Sequence, residues 1–431
     1  MRMTSFKALG RIAGTAVAIV ALAGCTAGPA TAPSTDVPDA TDAAGSTCVS
    51  SPESVATTEL PDSAMEALDE AAASELRLAA EEGFGLTAAP GAIVAVRSPE
   101  GTWIDSFGVA DPDTGAPMEP DLYMRVGSVT KTFTGSIVLQ LDEQGELSLD
   151  DTIDEYVDGV PNGDEVTIRM LADMTSGVAS YTFDEAWLDT YFTEPTTVWT
   201  PDELLEAGLG QPPNFEPGER FEYSNTNTVL LGKVVEEVTG QPFTEVLEQQ
   251  ILEPLQLSHT SFPSDDEIPD PHPRGFTLQG TPDDSFVPVD ATDWSPTFGW
   301  TAGQMISNVD DLLVWGRALG TGQGILDTEE SVIRLTSFPG ELGYGLAMGC
   351  VDGWVGHTGE LPGFNTSVFY DTTTDTTVIT TVNSDVPTGD CTVSKTLPDN
   401  PKELDCMAPA TRIFVALSEA LGHPFSPPPL S

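Results

Sequence analysis

Arg125-Val126-Gly127-Ser128-Val129-Thr130-Lys131-Thr132-Phe133-Thr134-Gly135 places a serine and a lysine three residues apart where a helix is expected to begin. Residues at this spacing lie one above the other on a helix face, so the Lys131 amine can reach the Ser128 hydroxyl. A serine becomes a nucleophile when a base removes its proton, and burial lowers the pKa of a lysine enough for that task. The alternative is a serine cap followed by a solvated lysine. Of the five lysines, only Lys131 stands three residues after a serine.

The amino terminus has the pattern of an export signal. Basic residues precede an apolar run over 12–23, which is too short for a spanning helix. The run ends in Leu22-Ala23-Gly24-Cys25, which resembles a bacterial lipobox. We therefore expect residues 1–24 to be a signal peptide and Cys25 to carry a lipid, with export to the outer face of the cytoplasmic membrane. The membrane is then contacted only through this anchor.

Composition narrows the possible partners. Residues 25–57 are small, polar and rich in proline, which predicts a disordered tether. The formal net charge of the chain is −52, which argues against nucleic-acid binding and against anionic lipid surfaces. The four histidines are scattered and no Cys/His cluster has zinc spacing, so we expect no metal and no cofactor. We expect a monomer that acts on a small-molecule or peptidyl substrate.

Four cysteines remain once Cys25 is assigned to lipid, and an oxidising compartment allows them three pairings. We favour Cys391 with Cys406, which would close the polar excursion between them. That choice leaves Cys48 for Cys350.

The predicted elements indicate an α+β fold. Strands are expected at both ends of the domain (91–97, 102–109, 343–350, 353–356, 366–371 and 376–383). Helices are expected between them and at the flanks (62–83, 128–143, 166–173, 201–208, 227–239, 243–253 and 407–421). This order predicts one antiparallel sheet flanked by N- and C-terminal helices and interrupted by a helical insertion, with the active site at the seam.

The corresponding domain prediction is a single folded unit over 58–424. Its sheet part would comprise 58–127 and 301–424, and its helical part 128–300, before a Pro-rich tail over 425–431.

Two further motifs carry polar groups that such a layout would bring towards Ser128. Tyr223-Ser224-Asn225 directly precedes a predicted helix; a phenol can relay a proton and an amide can orient a carbonyl. The structural alternatives are a tyrosine at a domain seam and a helix-capping asparagine. His357-Thr358-Gly359-Glu360 follows a predicted strand, where a glycine permits close backbone approach. The alternative is an ordinary Gly-rich strand entry.

Together, Ser-x-x-Lys, Tyr-x-Asn and His-Thr-Gly resemble the serine penicillin-recognising enzymes. The resemblance is to the branch of class C β-lactamases, Streptomyces-type D-alanyl-D-alanine carboxypeptidases and related esterases, and it spans roughly 62–421. It implies the β-lactamase/transpeptidase-like fold. It also implies Ser128 as the acylated nucleophile, Lys131 as its base, Tyr223 as a proton relay and Asn225 as the group that orients the substrate amide.

The remaining roles also follow from the resemblance. The backbone N–H groups of Ser128 and Glu360 would form an oxyanion hole, which Gly359 makes accessible. His357 would supply a donor or partial positive charge near Tyr223, and Thr358 would offer its hydroxyl to the substrate. Trp300 would form a wall of the cleft.

The sequence departs from this pattern in two places. Carboxypeptidases with His-Thr-Gly resemble one another in an arginine shortly before the motif, whereas 341–356 contains neither Lys nor Arg. Met174 stands where relatives often carry a histidine, and we expect it to serve packing. The first expectation is a D-alanyl-D-alanine carboxypeptidase-like hydrolase; the alternatives are an esterase or amidase on small acyl substrates, a β-lactamase, and a non-catalytic envelope sensor.

Overall fold

The computed structural model describes residues 48–282, 284–340 and 342–430. The predicted signal peptide, the lipidation site Cys25 and most of the predicted tether lie outside the described residues. Among those residues, no helix has the length and apolar character needed to cross a membrane.

The strands occupy both ends of the domain, as the sequence predicts. They are β1 (Gly91–Ser98), β2 (Gly101–Asp111), β3 (Ala116–Pro117), β4 (Met124–Arg125), β5 (Phe276–Thr277), β6 (Val289–Asp290), β7 (Ile306–Ser307), β8 (Leu342–Gly345), β9 (Met348–Val351), β10 (Trp354–Leu361), β11 (Phe364–Asp371) and β12 (Thr376–Val382). Eight of them form one antiparallel sheet in the order β3-β2-β1-β12-β11-β10-β9-β8.

Most of the helices lie between β4 and β8. The helices are α1 (Pro52–Thr57), α2 (Glu70–Gly85), α3 (Thr130–Glu143), α4 (Ile168–Ala172), α5 (Glu185–Thr193), α6 (Pro201–Leu209), α7 (Asn225–Thr239), α8 (Phe243–Leu247), α9 (Glu253–Leu255), α10 (Val309–Thr321), α11 (Thr328–Thr336) and α12 (Pro409–Ala420). The chain is thus an α+β protein in which a largely helical segment interrupts one antiparallel sheet.

The sheet separates two hydrophobic cores because successive side chains of a strand point to opposite faces. Ala92, Val94 and Val96 of β1 join the core under α2 and α12, while Ile93 and Ala95 join the larger core on the other face. The larger core extends into the helical segment, so helix α3, which contains Lys131, packs between the sheet and the insertion.

The segment over 342–351 is a hairpin, whereas the sequence predicts one strand over 343–350. Leu346 and Ala347 form its turn with φ of 46° and 62°. Two contacts with the helical segment hold this turn: the Leu346 N–H donates to Asp173 Oδ1 at 2.7 Å, and the Ala347 N–H donates to the Ala172 carbonyl at 2.9 Å. Apolar alternation could not reveal the turn because tertiary contacts set it.

The folded unit begins before the predicted boundary at 58. Residues 52–57 form α1, which buries Val55, and the Thr58 carbonyl accepts a hydrogen bond from Arg317 at 2.7 Å. The predicted tail is also folded in part, because Phe425 is 2% exposed and packs in the core under α12. Both segments are polar and rich in proline, and each is held to the core by a buried apolar residue, Val55 in the first and Phe425 in the second.

Both favoured disulfides are confirmed. Cys391 pairs with Cys406 across 15 residues, and Cys48 pairs with Cys350 across 302 residues. The second bond fastens the amino-terminal segment to β9, which lies beside the active-site strand β10.

We expect the double variant Cys48→Ala/Cys350→Ala to lose more stability than Cys391→Ala/Cys406→Ala. Loop-closure entropy predicts about 3 kcal/mol for a 15-residue loop and more for a longer one. The measurement is denaturant unfolding of each variant beside the wild type. Equal losses would mean that the long loop remains ordered in the unfolded ensemble.

Candidate active site

The structure places Ser128 and Lys131 in hydrogen-bonding contact at the start of α3. Ser128 lies in a 3₁₀ turn over Gly127–Val129 and is half-buried, so a substrate can reach its hydroxyl. Lys131 Nζ lies 3.1 Å from Ser128 Oγ, and it donates to the Ala302 carbonyl at 2.6 Å. The predicted pair is therefore assembled by local helix geometry and oriented by a backbone carbonyl from a distant segment.

Burial determines the chemistry of Lys131. The side chain is 0% exposed, and this burial lowers the pKa of Lys131 well below its ordinary value. A buried ammonium without a carboxylate partner loses hydration, so burial favours the neutral amine. The neutral amine has the free electron pair that a base needs to accept the Ser128 proton.

Tyr223 lies close to this pair. Lys131 Nζ is 4.9 Å from the centre of the Tyr223 ring. The Tyr223 hydroxyl is buried without a hydrogen-bond partner within 3.5 Å in the described part of the chain. Burial raises the pKa of Tyr223, and the nearby Ser128 hydroxyl lowers it by a smaller amount. Tyr223 is thus a neutral phenol beside the nucleophile, with its proton available for a substrate atom.

His357 is a neutral residue in this site. Burial and the proximity of Lys131 lower the pKa of His357 to about 3. Its Nδ1 donates to the Thr358 carbonyl, and its Nε2 then accepts from the Tyr344 hydroxyl at 3.1 Å. His357 therefore supplies no positive charge here; it connects Tyr344 with β10, and their rings pack around Tyr223. Tyr344 is a site residue that the sequence analysis did not single out.

The backbone of β10 comes directly against the Ser128 turn. A Cβ on Gly359 would lie 1.8 Å from the Val126 carbonyl oxygen, and a Cβ on Gly127, whose φ is +53°, would lie 2.5 Å from the Glu360 nitrogen. These two glycines thus let the Ser128 and Glu360 backbones come together, as an oxyanion hole requires.

A substrate can lie along β10 at this point. Strand β9 pairs only with Trp354, Val355 and Gly356, so in the described part of the chain residues 357–361 have a strand on one side only, β11. Thr358 and Glu360 are partly exposed along this stretch. The open strand edge beside Ser128 leaves backbone groups of β10 available for pairing with an extended chain.

The other predicted site residues are positioned differently. Asn225 begins α7, and its amide donates to the Thr182 hydroxyl at 3.4 Å, whereas the group that binds Lys131 is the Ala302 carbonyl. Trp300 is 9% exposed and packs against Gly232 and Phe243, so its ring belongs to the core and not to a wall of the cleft.

Trp300 and Met174 both contribute through packing. The turn that contains Trp300 supplies the carbonyl that binds Lys131. Met174 is 1% exposed, and its sulfur accepts from the Asn227 amide at 3.6 Å, which agrees with a packing role. No group of three or more His, Cys, Asp or Glu side chains in the described residues is arranged to hold a metal ion.

A serine activated by a buried lysine, with a neutral phenol and an open strand edge, defines a serine acyl-transfer site. The chain belongs to the β-lactamase family, which it matches over residues 76–396. Its fold is the β-lactamase/transpeptidase-like fold.

The similar proteins include penicillin-binding proteins and amidases. Protein flp of Staphylococcus aureus is 29% identical over 214 residues, which are 48% of this chain and 41% of that protein. The putative penicillin-binding protein PbpX of Bacillus subtilis is 26% identical over 276 residues, 64% of this chain and 66% of that one. This chain thus spans about two fifths of the length of the S. aureus relatives that it matches.

Among solved structures, a D-stereospecific amidohydrolase from Streptomyces sp. is 29% identical. Its TM-score is 0.66, and the match covers 72% of this chain and 94% of that one. The likeness covers almost the whole of that enzyme.

We expect Lys131→Met to change the pH dependence of stability. The folded-state pKa of Lys131 lies below its unfolded value, so the unfolded chain binds the extra proton between the two values. In that window, stability of the wild type rises with pH by up to about 1.4 kcal/mol per unit relative to the variant. The measurement is the difference in unfolding free energy between wild type and variant from pH 6 to 10. A difference that does not vary with pH would contradict a depressed pKa.

We expect Gly359→Ala to reduce hydrolysis by about 100-fold, the usual effect of disturbing an oxyanion donor. The added methyl would displace the Val126 carbonyl and with it the Ser128 turn. Gly85→Ala is the matched control because a Cβ there meets nothing within 4 Å. Equal rates for the two variants would contradict the close approach of β10.

Proposed function

We propose that the chain is a serine amidohydrolase that forms an ester between Ser128 Oγ and the acyl group of an amide substrate. The observation that carries the proposal is the 3.1 Å contact between Ser128 and the fully buried Lys131. This contact provides a nucleophile and a neutral base without a titrating histidine.

The reaction then follows from the positions of the groups. Lys131 accepts the Ser128 proton as Oγ attacks the amide carbonyl, and the oxyanion accepts hydrogen bonds from the Ser128 and Glu360 backbone N–H groups. The Tyr223 hydroxyl donates a proton to the departing nitrogen and is reprotonated from Lys131. Water then attacks the ester, and Ser128 regains its proton as the acid product leaves.

An amide without a terminal carboxylate fits the cleft better than a carboxypeptidase substrate does. Residues 341–356 contain no Lys or Arg, burial lowers the pKa of Lys131 and so favours its neutral form, and the lowered pKa of His357 leaves it uncharged at neutral pH. The Glu360 side chain adds a carboxyl group at the strand edge. The similarity to the D-stereospecific amidohydrolase supports an amide of a D-configured residue.

A D-alanyl-D-alanine carboxypeptidase is the second candidate. The His-Thr-Gly motif and the similarity to PbpX favour it. It differs from the first candidate in requiring a group that binds the peptide's terminal carboxylate.

We expect the wild type to hydrolyse a peptide ending in D-alanyl-D-alanine amide faster than the same peptide with a free carboxylate. Without a cation at the strand edge, the carboxylate would be desolvated unpaired. The measurement is product formation by chromatography, with intact-mass detection of the acyl-enzyme and Ser128→Ala as the control. Preference for the free carboxylate would favour the carboxypeptidase. Rapid penicillin turnover would indicate a β-lactamase, and hydrolysis of esters alone would indicate an esterase. If none of these compounds reacts or forms an adduct, the protein is a non-catalytic sensor.

We also propose that the protein is an exported monomer anchored through lipid on Cys25. The two disulfides support an oxidising compartment. Replacement of Cys25 by Ala should release the protein from the membrane fraction, and light scattering of the soluble variant would give its mass.

A further inference from the structure

The turn that ends helix α4, residues 172–175, is hydrogen-bonded to both chain segments that carry the tyrosines of the site. The first of these segments leads to Tyr223. The Glu222 N–H donates to the Met174 carbonyl at 2.9 Å. Since Glu222 directly precedes Tyr223, this bond places the backbone of the phenol relative to the turn.

The second segment is the β8–β9 hairpin, which carries Tyr344. Its turn residues Leu346 and Ala347 have φ of 46° and 62°, a region that residues with side chains seldom adopt. Such a conformation persists only where surrounding contacts impose it. The carboxyl group of Asp173 and the carbonyl of Ala172 impose it here, because they accept the two consecutive N–H groups of the turn.

Asp173 provides the one side chain among these three hydrogen bonds, so its bond is the one that depends on residue identity. Asp173 Oδ1 accepts the Leu346 N–H at 2.7 Å. Burial raises the pKa of Asp173 to about 6, against the opposing effects of the Leu346 N–H and of Arg169, so the carboxyl is ionised at neutral pH. An ionised carboxylate holds a backbone N–H more strongly than a neutral acceptor does.

The hairpin connects this carboxylate with the leaving-group side of the site. The Tyr344 hydroxyl donates to His357 Nε2 at 3.1 Å, and the Tyr344 ring meets the Tyr223 ring edge to face, with ring centres 6.0 Å apart. The Ser128–Lys131 pair, by contrast, is assembled within α3 and the turn before it. A displaced hairpin would therefore disturb the phenol that protonates the leaving group more than the nucleophile and its base.

We propose that Asp173 is a positioning residue for departure of the leaving group. Its carboxylate holds the β8–β9 hairpin, and through Tyr344 and His357 it keeps the Tyr223 hydroxyl directed at the departing nitrogen. The inference rests on the proposed amidohydrolase function, in which the leaving amine gains a proton as it departs. It adds a residue that lies outside the Ser-x-x-Lys, Tyr-x-Asn and His-Thr-Gly motifs.

The test compares two substrates that deliver the same acyl group to Ser128. D-Phenylalanine amide needs a proton on its leaving nitrogen, whereas D-phenylalanine p-nitrophenyl ester releases a phenolate that departs without one. We expect Asp173→Ala to lower the ratio of their kcat/KM values, amide over ester, at least about tenfold. An equal loss for both substrates would mean that Asp173 serves only the fold, and it would overturn the proposal.

Two matched variants control this comparison. Asp173→Asn keeps an oxygen that can accept the Leu346 N–H, so its amide-to-ester ratio should stay within about threefold of the wild-type ratio. Asp158→Ala removes an exposed aspartate from the segment between α3 and α4 and should leave the ratio unchanged. A ratio as low in Asp173→Asn as in Asp173→Ala would contradict the role of the hydrogen bond.

A double-mutant cycle tests whether Asp173 acts through Tyr344. Tyr344→Phe removes the hydroxyl that binds His357 and should itself lower the amide-to-ester ratio. We expect the double variant Asp173→Ala/Tyr344→Phe to match the more damaging single variant within about twofold, because both changes break one chain of contacts. Effects that multiply would show that the two residues act independently and would overturn the assignment.

A spectroscopic measurement separates failure of this inference from failure of the proposed function. The NMR resonance of His357 Nε2 reports its hydrogen bond with Tyr344, and His357→Gln identifies that resonance. We expect Asp173→Ala to shift it and Asp173→Asn to leave it in place. Such a shift without hydrolysis of either substrate by the wild type would refute the amidohydrolase and keep the positioning role. Hydrolysis of the amide by the wild type, with an unshifted resonance in Asp173→Ala, would keep the enzyme and refute the positioning role.

Discussion

The site depends on one physical constraint, which is the complete burial of Lys131 beside a half-buried serine. An ammonium without a carboxylate partner is costly in such surroundings, and the protein meets that cost by favouring the neutral amine. The Ala302 carbonyl accepts a hydrogen bond from Lys131 Nζ at 2.6 Å and so holds the amine within 3.1 Å of Ser128 Oγ. The same burial that weakens the fold at low pH therefore produces the base.

The second constraint is the close contact between the nucleophile turn and β10. Gly127 and Gly359 meet where any side chain would collide with backbone. This contact joins the two parts of the chain on either side of the helical insertion, so the site is complete only when both parts are packed together. Around it, Tyr344 and His357 form a neutral hydrogen-bonded pair that packs against Tyr223.

Residues in local patterns were predictable, and residues joined only by tertiary contacts were not. The Ser128–Lys131 pair follows from helix periodicity, and the helices and strands near it were predicted within a few residues. The role of Ala302 depends on a backbone carbonyl, which any residue can supply and no side-chain pattern marks. Tyr344 joins segments far apart in sequence, and the Leu346–Ala347 turn exists because Asp173 and Ala172 hold it.

The sequence by itself determined the α+β class and the pairing of Ser128 with Lys131, and it favoured the disulfides that the structure contains, because each depends on periodicity, spacing or the chemistry of a few rare residues. The tertiary structure decided the burial of the site groups and the open edge of β10. It buries Lys131 and His357, moves Trp300 from the predicted cleft wall into the core, and packs Phe425 of the carboxy-terminal segment into the core under α12. Burial and electrostatic environment arise only when distant segments pack, so no local pattern can encode them.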